Sequence, residues 1–307
     1  MEATLFFTNF IRRITPVAIL SLVVGCGGDD GVSSLLSISQ QNANEVAENA
    51  VGVIDLLSDA TDLVDTFADT IENNDQQVVL CESGNVVIDV DDVAPQGELS
   101  TGDSMSVTFN ACDMGGTVFN GSFSFTASDV QTDDDSFSRT LVVDFDSLTV
   151  STFGGGTVVV NGGFTVSLST DDGITVVKTV SGSSLSVFAQ GDSESVSGTM
   201  RNFSQRAEFN TETGAYSMEY TVTFSGSGLP GEVTYETTVP FTGVDPDDPS
   251  AGTLVVTGAN GSTLTLDAID SERVMLYLDI DGDGDSEWES ERTWDELTDD
   301  DDEEEPT

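Results

Sequence analysis

The chain has 307 residues, with 56 acids against 8 bases and no histidine, for a formal charge of −48 at pH 7. Charge of that sign and size excludes nucleic acid as a partner and makes an anionic lipid surface repulsive, while it draws in cations. The lack of histidine excludes Ser–His and Cys–His nucleophile activation and histidine-ligated zinc or iron.

At the N-terminus, Arg12 and Arg13 precede the apolar stretch "ITPVAILSLVVG", Ile14 to Gly25, which is too short to span a bilayer. Residues 1–25 therefore read as an export signal. The Val23-Val24-Gly25-Cys26 motif that closes it resembles the lipobox of bacterial lipoproteins, in which a small residue precedes a cysteine that is lipidated and becomes the new N-terminus. That resemblance implies Cys26 as the lipidation site and a stable hold on the membrane, since several acyl chains together do what one does only marginally. It also implies outer-membrane sorting, because Gly27 stands where an aspartate favours inner-membrane retention. The chain is similar in style to acidic, β-rich envelope lipoproteins, facing the periplasm or the cell surface.

Residues 26–40, continuing "GGDDGVSSLLSISQ" after the cysteine, are small and polar and read as a flexible tether between lipid and fold. Residues 41–75 read as an amphipathic helix. Val46, Ala50, Val53, Leu57, Ala60, Val64, Phe67 and Ile71 recur at steps of four and three and fall on one stripe. Acids without a base occupy the other face, and those near the C-terminal end oppose the helix dipole, so burial of the stripe has to supply the stability.

Residues 77–297 are rich in Val, Thr, Phe and Ser, with alternation and Gly/Asn/Asp turn residues, which predicts an antiparallel β domain. "GTVFNGSFSFTAS" from Gly116 is echoed by "GTVVVNGGFTVSLS" from Gly156, and an alternating stretch follows each copy. Later stretches, from "GTMRNFSQRAEFN" to "GTLVVTGANGSTLTLDAI", read as strand–turn–strand units, and the two Asn-Gly-Ser tripeptides at 120 and 260 read as hairpin turns. The expected fold is mainly β: a large curved antiparallel meander sheet, or a partly open barrel, preceded by one long amphipathic helix. Trp288 and Trp294 read as packing residues of a terminal hairpin, and the like-charge run that ends the chain predicts a disordered tail over 298–307.

Cys81 and Cys112 remain in an exported chain and predict a disulfide. The sharpest local signal is "LDIDGDGDSEWESE", which resembles the start of a calcium-binding loop. A hard cation takes six to eight oxygens, alternating acids converge as a loop curls, and glycine permits the turn. Asp279, Asp281 and Asp283 are the expected side-chain ligands, Asp285 offers its backbone carbonyl, and Glu287 binds directly or through water. The twelfth position is Ser290 rather than glutamate, and "RVMLYL" ahead of the loop reads as a strand, so the expectation is a calcium-clamped hairpin tip near 279–287.

The functional expectation is a membrane-anchored, non-enzymatic scaffold or binding module with calcium as its cofactor. Its partners would be the membrane, through the N-terminal lipid, and an apolar ligand or another envelope protein. The alternative is a carboxylate-dependent hydrolase of envelope polysaccharide, recognisable by two carboxyl groups roughly 5–9 Å apart in a cleft.

Overall fold

The computed structural model describes residues 35–72, 81–93, 99–133, 136–152, 156–191 and 195–298. The expected signal segment, Cys26, the first part of the tether and residues 299–307 lie outside them. The described chain forms one sheet of thirteen strands in sequence order, every neighbour antiparallel. It does not close, since the first and last strands have no pairing with each other.

Helix α1 spans Ala43–Glu72, and its expected stripe is buried at Val46, Ala50, Val53, Leu57, Ala60 and Val64. The side chains of Phe67 and Ile71 lie outside the described set. The strands are β1 (Ser83–Asp91), β2 (Ser104–Met114), β3 (Thr117–Thr132), β4 (Phe137–Thr152), β5 (Thr157–Thr170), β6 (Thr175–Gln190) and β7 (Ser195–Asn210). They continue as β8 (Ala215–Gly226), β9 (Leu229–Val244), β10 (Ala251–Thr257), β11 (Thr263–Ala268), β12 (Arg273–Asp279) and β13 (Trp288–Thr293). A short helix α2, Trp294–Thr298, follows and packs on α1. No helix among the described residues is long and apolar enough to cross a membrane.

Alternation puts one face of the sheet into a single core with the helix stripe. Along β2–β5 that face is a ladder of aromatics: Phe109 lies 5.4 Å from Phe119, Phe123 lies 6.1 Å from Phe145, and Phe145 lies 5.8 Å from Phe164, centroid to centroid. Such tilted ring pairs add about 0.5–1.5 kcal/mol each beyond the area they bury. The helix is fastened to the sheet by the Tyr220 hydroxyl, which donates to the Ala50 carbonyl at 3.1 Å.

Four expectations need correction. Most of the presumed strand–turn–strand units are single long strands, and only "GTLVVTGANGSTLTLDAI" turns, at Ala259–Gly261 between β10 and β11. The Asn-Gly at 120 is no hairpin tip: it lies inside β3, where the register with β4 shifts between Asn120 and Ser122. Asn161–Gly162 repeats the device inside β5. Gly121 (φ 85°) and Gly162 (φ 106°) take left-handed backbone, and a Cβ on either would run into the carbonyl of Ser147 or Ser184 on the next strand. The asparagine side chains accept from Ala111 N and Ser147 N across the strand boundary, both at 2.8 Å. Each site faces a β-bulge on β4, where Ser147 and Leu148 oppose Gly121 alone and Asp146 and Ser147 oppose Asn161 alone; bulges bend a strand and raise its twist, and they let these long strands curve around a core instead of lying flat.

The end of the presumed tether belongs to the fold. Leu36 and Ile38 are buried; Leu36 N donates to Glu232 O at 2.8 Å, Ala259 N to Leu36 O at 2.6 Å, and Ile38 N to the Ser262 hydroxyl at 3.1 Å. The alternating apolar residues of "LLSIS" strap the start of β9 to the β10–β11 turn. Residue 298 likewise belongs to the fold: Thr298 ends α2, and Leu297 before it is buried. Trp294 meets Phe241 edge-on at 5.9 Å, so it is a packing residue, as its position predicts.

Candidate metal site

Between β12 and β13 the chain turns through residues 280–287, closed at its base by Glu287 N donating to Leu278 O at 2.9 Å. Gly282 (φ 77°) and Gly284 (φ 94°) adopt the left-handed backbone that the tight curl requires. The carboxylates are turned inward by the loop's own amides. Asp279 Oδ1 accepts from Gly282 N at 2.7 Å and its Oδ2 from Gly284 N at 2.8 Å. Asp281 accepts from Asp283 N at 3.3 Å, Asp283 from Asp285 N at 2.9 Å, and Glu287 from Ile280 N at 2.7 Å.

As a result one oxygen from each of Asp279, Asp281, Asp283 and Glu287 lies within 4.8 Å of the others, an arrangement that could hold a metal ion. Four of the expected ligands are thus brought together. Asp285 is outside the converging group; its expected contribution is a backbone carbonyl, and its N–H faces Asp283. Like charges at this spacing repel by about 1 kcal/mol per pair even in water. The inward amides offset part of that, and a cation would offset more.

The loop lies beside the strap. A Cβ on Gly282 would sit 2.9 Å from the Gly261 carbonyl, in the same turn whose Ala259 N holds Leu36. The carboxylate cluster, the β10–β11 turn and the point where residues 35–38 enter the fold therefore share one end of the sheet.

The expected disulfide is present: Cys81 and Cys112 are bonded, with Cα atoms 5.0 Å apart. It ties the start of β1 to β2, where Glu82 N also donates to Asp113 O at 2.7 Å. Comparison with family models, curated proteins and solved structures gives no match.

Proposed function

We propose that this chain is a lipid-anchored protein of the bacterial envelope, placed at the outer membrane, that acts as a non-enzymatic scaffold or binding module and is stabilised by calcium at the β12–β13 hairpin. The observation that carries the calcium reading is the convergence of the Asp279, Asp281, Asp283 and Glu287 carboxylates. The chemistry favours calcium over magnesium, because an exposed loop offering many carboxylate and carbonyl oxygens suits the larger ion, whereas magnesium demands a tight octahedron and gives up water reluctantly. The anchor reading rests on Val23-Val24-Gly25-Cys26 and the apolar run before it. The absence of histidine removes Ser–His and Cys–His nucleophile chemistry and histidine-ligated metals from the possible roles.

At the 10⁻⁴–10⁻³ M affinity of extracellular calcium modules, 10 mM calcium should raise the unfolding temperature by roughly 3–10 °C. Magnesium at equal ionic strength should do much less, and Asp281→Ala/Asp283→Ala should abolish the difference. Equal shifts for both metals, or a calcium shift that survives the substitutions, would reduce the effect to charge screening and end the reading. For the anchor, Cys26→Ser should move the protein from the membrane to the soluble fraction; unchanged fractionation would count against it.

A further inference from the structure

The two edges of the sheet are built differently. β13, "WESERT", presents Glu289, Glu291 and Arg292 and no aliphatic residue, which is how sheets discourage unwanted pairing. β1, "SGNVVIDVD", has four aliphatics in nine residues, and among the described residues it pairs with β2 alone. Val86, Ile88 and Val90 lie opposite Phe109, Val107 and Met105 of β2, whose side chains are buried. They continue the core face past its last covered strand, and Ile88 and Val90 remain 38% and 42% exposed. On the other face Val87, 53% exposed, is followed by Asp89 and Asp91.

This edge is held ready rather than frayed. The Cys81–Cys112 bond fixes its start, and at Gly84 (φ 76°) a Cβ would run into the Ala111 carbonyl, so the position facing the β2 bulge that sets the register admits only glycine.

We infer that β1 is a docking edge for an extended segment of another protein that alternates aliphatic residues with lysine or arginine and adds as a further strand. The aliphatic side chains would cover Val86, Ile88 and Val90, and the basic ones would face Asp89 and Asp91. Main-chain hydrogen bonds to an edge give affinity, and alternate side chains give specificity. Charge complementarity selects this occupant. β1, β2 and β3 carry Asp89, Asp91, Asp113 and Asp129 and no lysine or arginine, so a basic strand is attracted. A second copy would bring the same acids to the same edge in a chain of net charge −48.

The test uses the full chain and three nine-residue peptides of equal charge: alternating Val and Lys, the same composition with the valines and lysines in two blocks, and the alternating peptide N-methylated at every second residue. The alternating peptide should bind and slow hydrogen exchange at alternate amides of Val86–Asp91. The block and N-methylated peptides should bind at least tenfold more weakly, as should the alternating peptide to Asp89→Asn/Asp91→Asn, whose unfolding midpoint in the absence of peptide serves as the control for folding. Equal binding of all three peptides would mean adsorption to a negative surface. Protection elsewhere than β1, no binding at all, or a peptide-independent dimer paired through β1 would each overturn the inference.

Discussion

The hydroxyl of Tyr220 on β8 reaches the carbonyl of Ala50 across 170 residues of sequence, whereas the hydroxyl of Tyr235 on the next strand is buried with no hydrogen-bond partner among the described residues. The two tyrosines therefore predict opposite responses to loss of their oxygens. Tyr220→Phe should cost about 0.5–1.5 kcal/mol, the net worth of a neutral hydrogen bond. Tyr235→Phe should be neutral or stabilising by up to about 1–2 kcal/mol, because it removes a desolvated polar group that nothing repays. Denaturant midpoints at unchanged slope are the measurement. A loss of stability in Tyr235→Phe equal to that in Tyr220→Phe would refute the assignment.

Two glycines form a second pair of opposite sign. Gly52 lies in the middle of α1 with nothing within 4 Å of where its Cβ would be, so Gly52→Ala should stabilise by up to about 1 kcal/mol. Gly121 combines φ 85° with the approach of the Ser147 carbonyl. Gly121→Ala should therefore cost at least about 2 kcal/mol in strain and displaced backbone. If both substitutions shift the unfolding midpoint the same way, the close approach of Gly121 to the bulge on β4 is not as described.

The same contrast explains what was legible in the sequence. The helix could be read because its stripe is a local, periodic signal, and burial follows it residue by residue from Val46 to Val64. The acidic cluster could be read because Asp279, Asp281 and Asp283 converge through the curl of one short segment. Asn120–Gly121 could not be assigned, because a bulge and a hairpin use the same dipeptide. What separates them is the Asn120 side chain accepting from Ala111 N on the neighbouring strand, a contact that exists only once strands are paired. The strap at Leu36 and Ile38 was hidden for a like reason: its partners, Glu232, Ala259 and Ser262, lie some 200 residues away. That β1 is an edge follows from strand order, which alternation does not encode.

The Cys81–Cys112 bond closes a loop with a sequence separation of 31 residues. In the chain-entropy account, removing it should cost about 3.5–4 kcal/mol. Cys81→Ala/Cys112→Ala should show that loss in equilibrium unfolding. Since the bond anchors β1, the amides of Val86–Val90 should also exchange faster than those of β10–β12. Peptide mapping without reductant that finds two free thiols would remove the basis of the prediction.

Glu45, in the first turn of α1, predicts a pH dependence whose sign is the reverse of a salt-bridged acid's. Partial burial against the Gly228 backbone holds its carboxyl above the usual 4.5, and the phenol of Tyr235, pushed upward chiefly by its own burial, is raised further by the Glu45 charge. Below both the unfolded and the folded pKa the group is protonated in either state and contributes nothing. As pH rises past 4.5 the unfolded chain gives up the proton first, the folded state then binds more protons, and stability falls until the folded carboxyl has also ionised. Glu45→Gln should therefore be more stable than the parent at neutral pH, with the difference shrinking to nothing below about pH 4. The comparison is between the two proteins at each pH, because acid also relieves the repulsion among the other carboxylates in both alike. A difference that stays constant from pH 4 to 7, or a variant less stable than the parent at pH 7, would show that the carboxylate is not disfavoured where it sits.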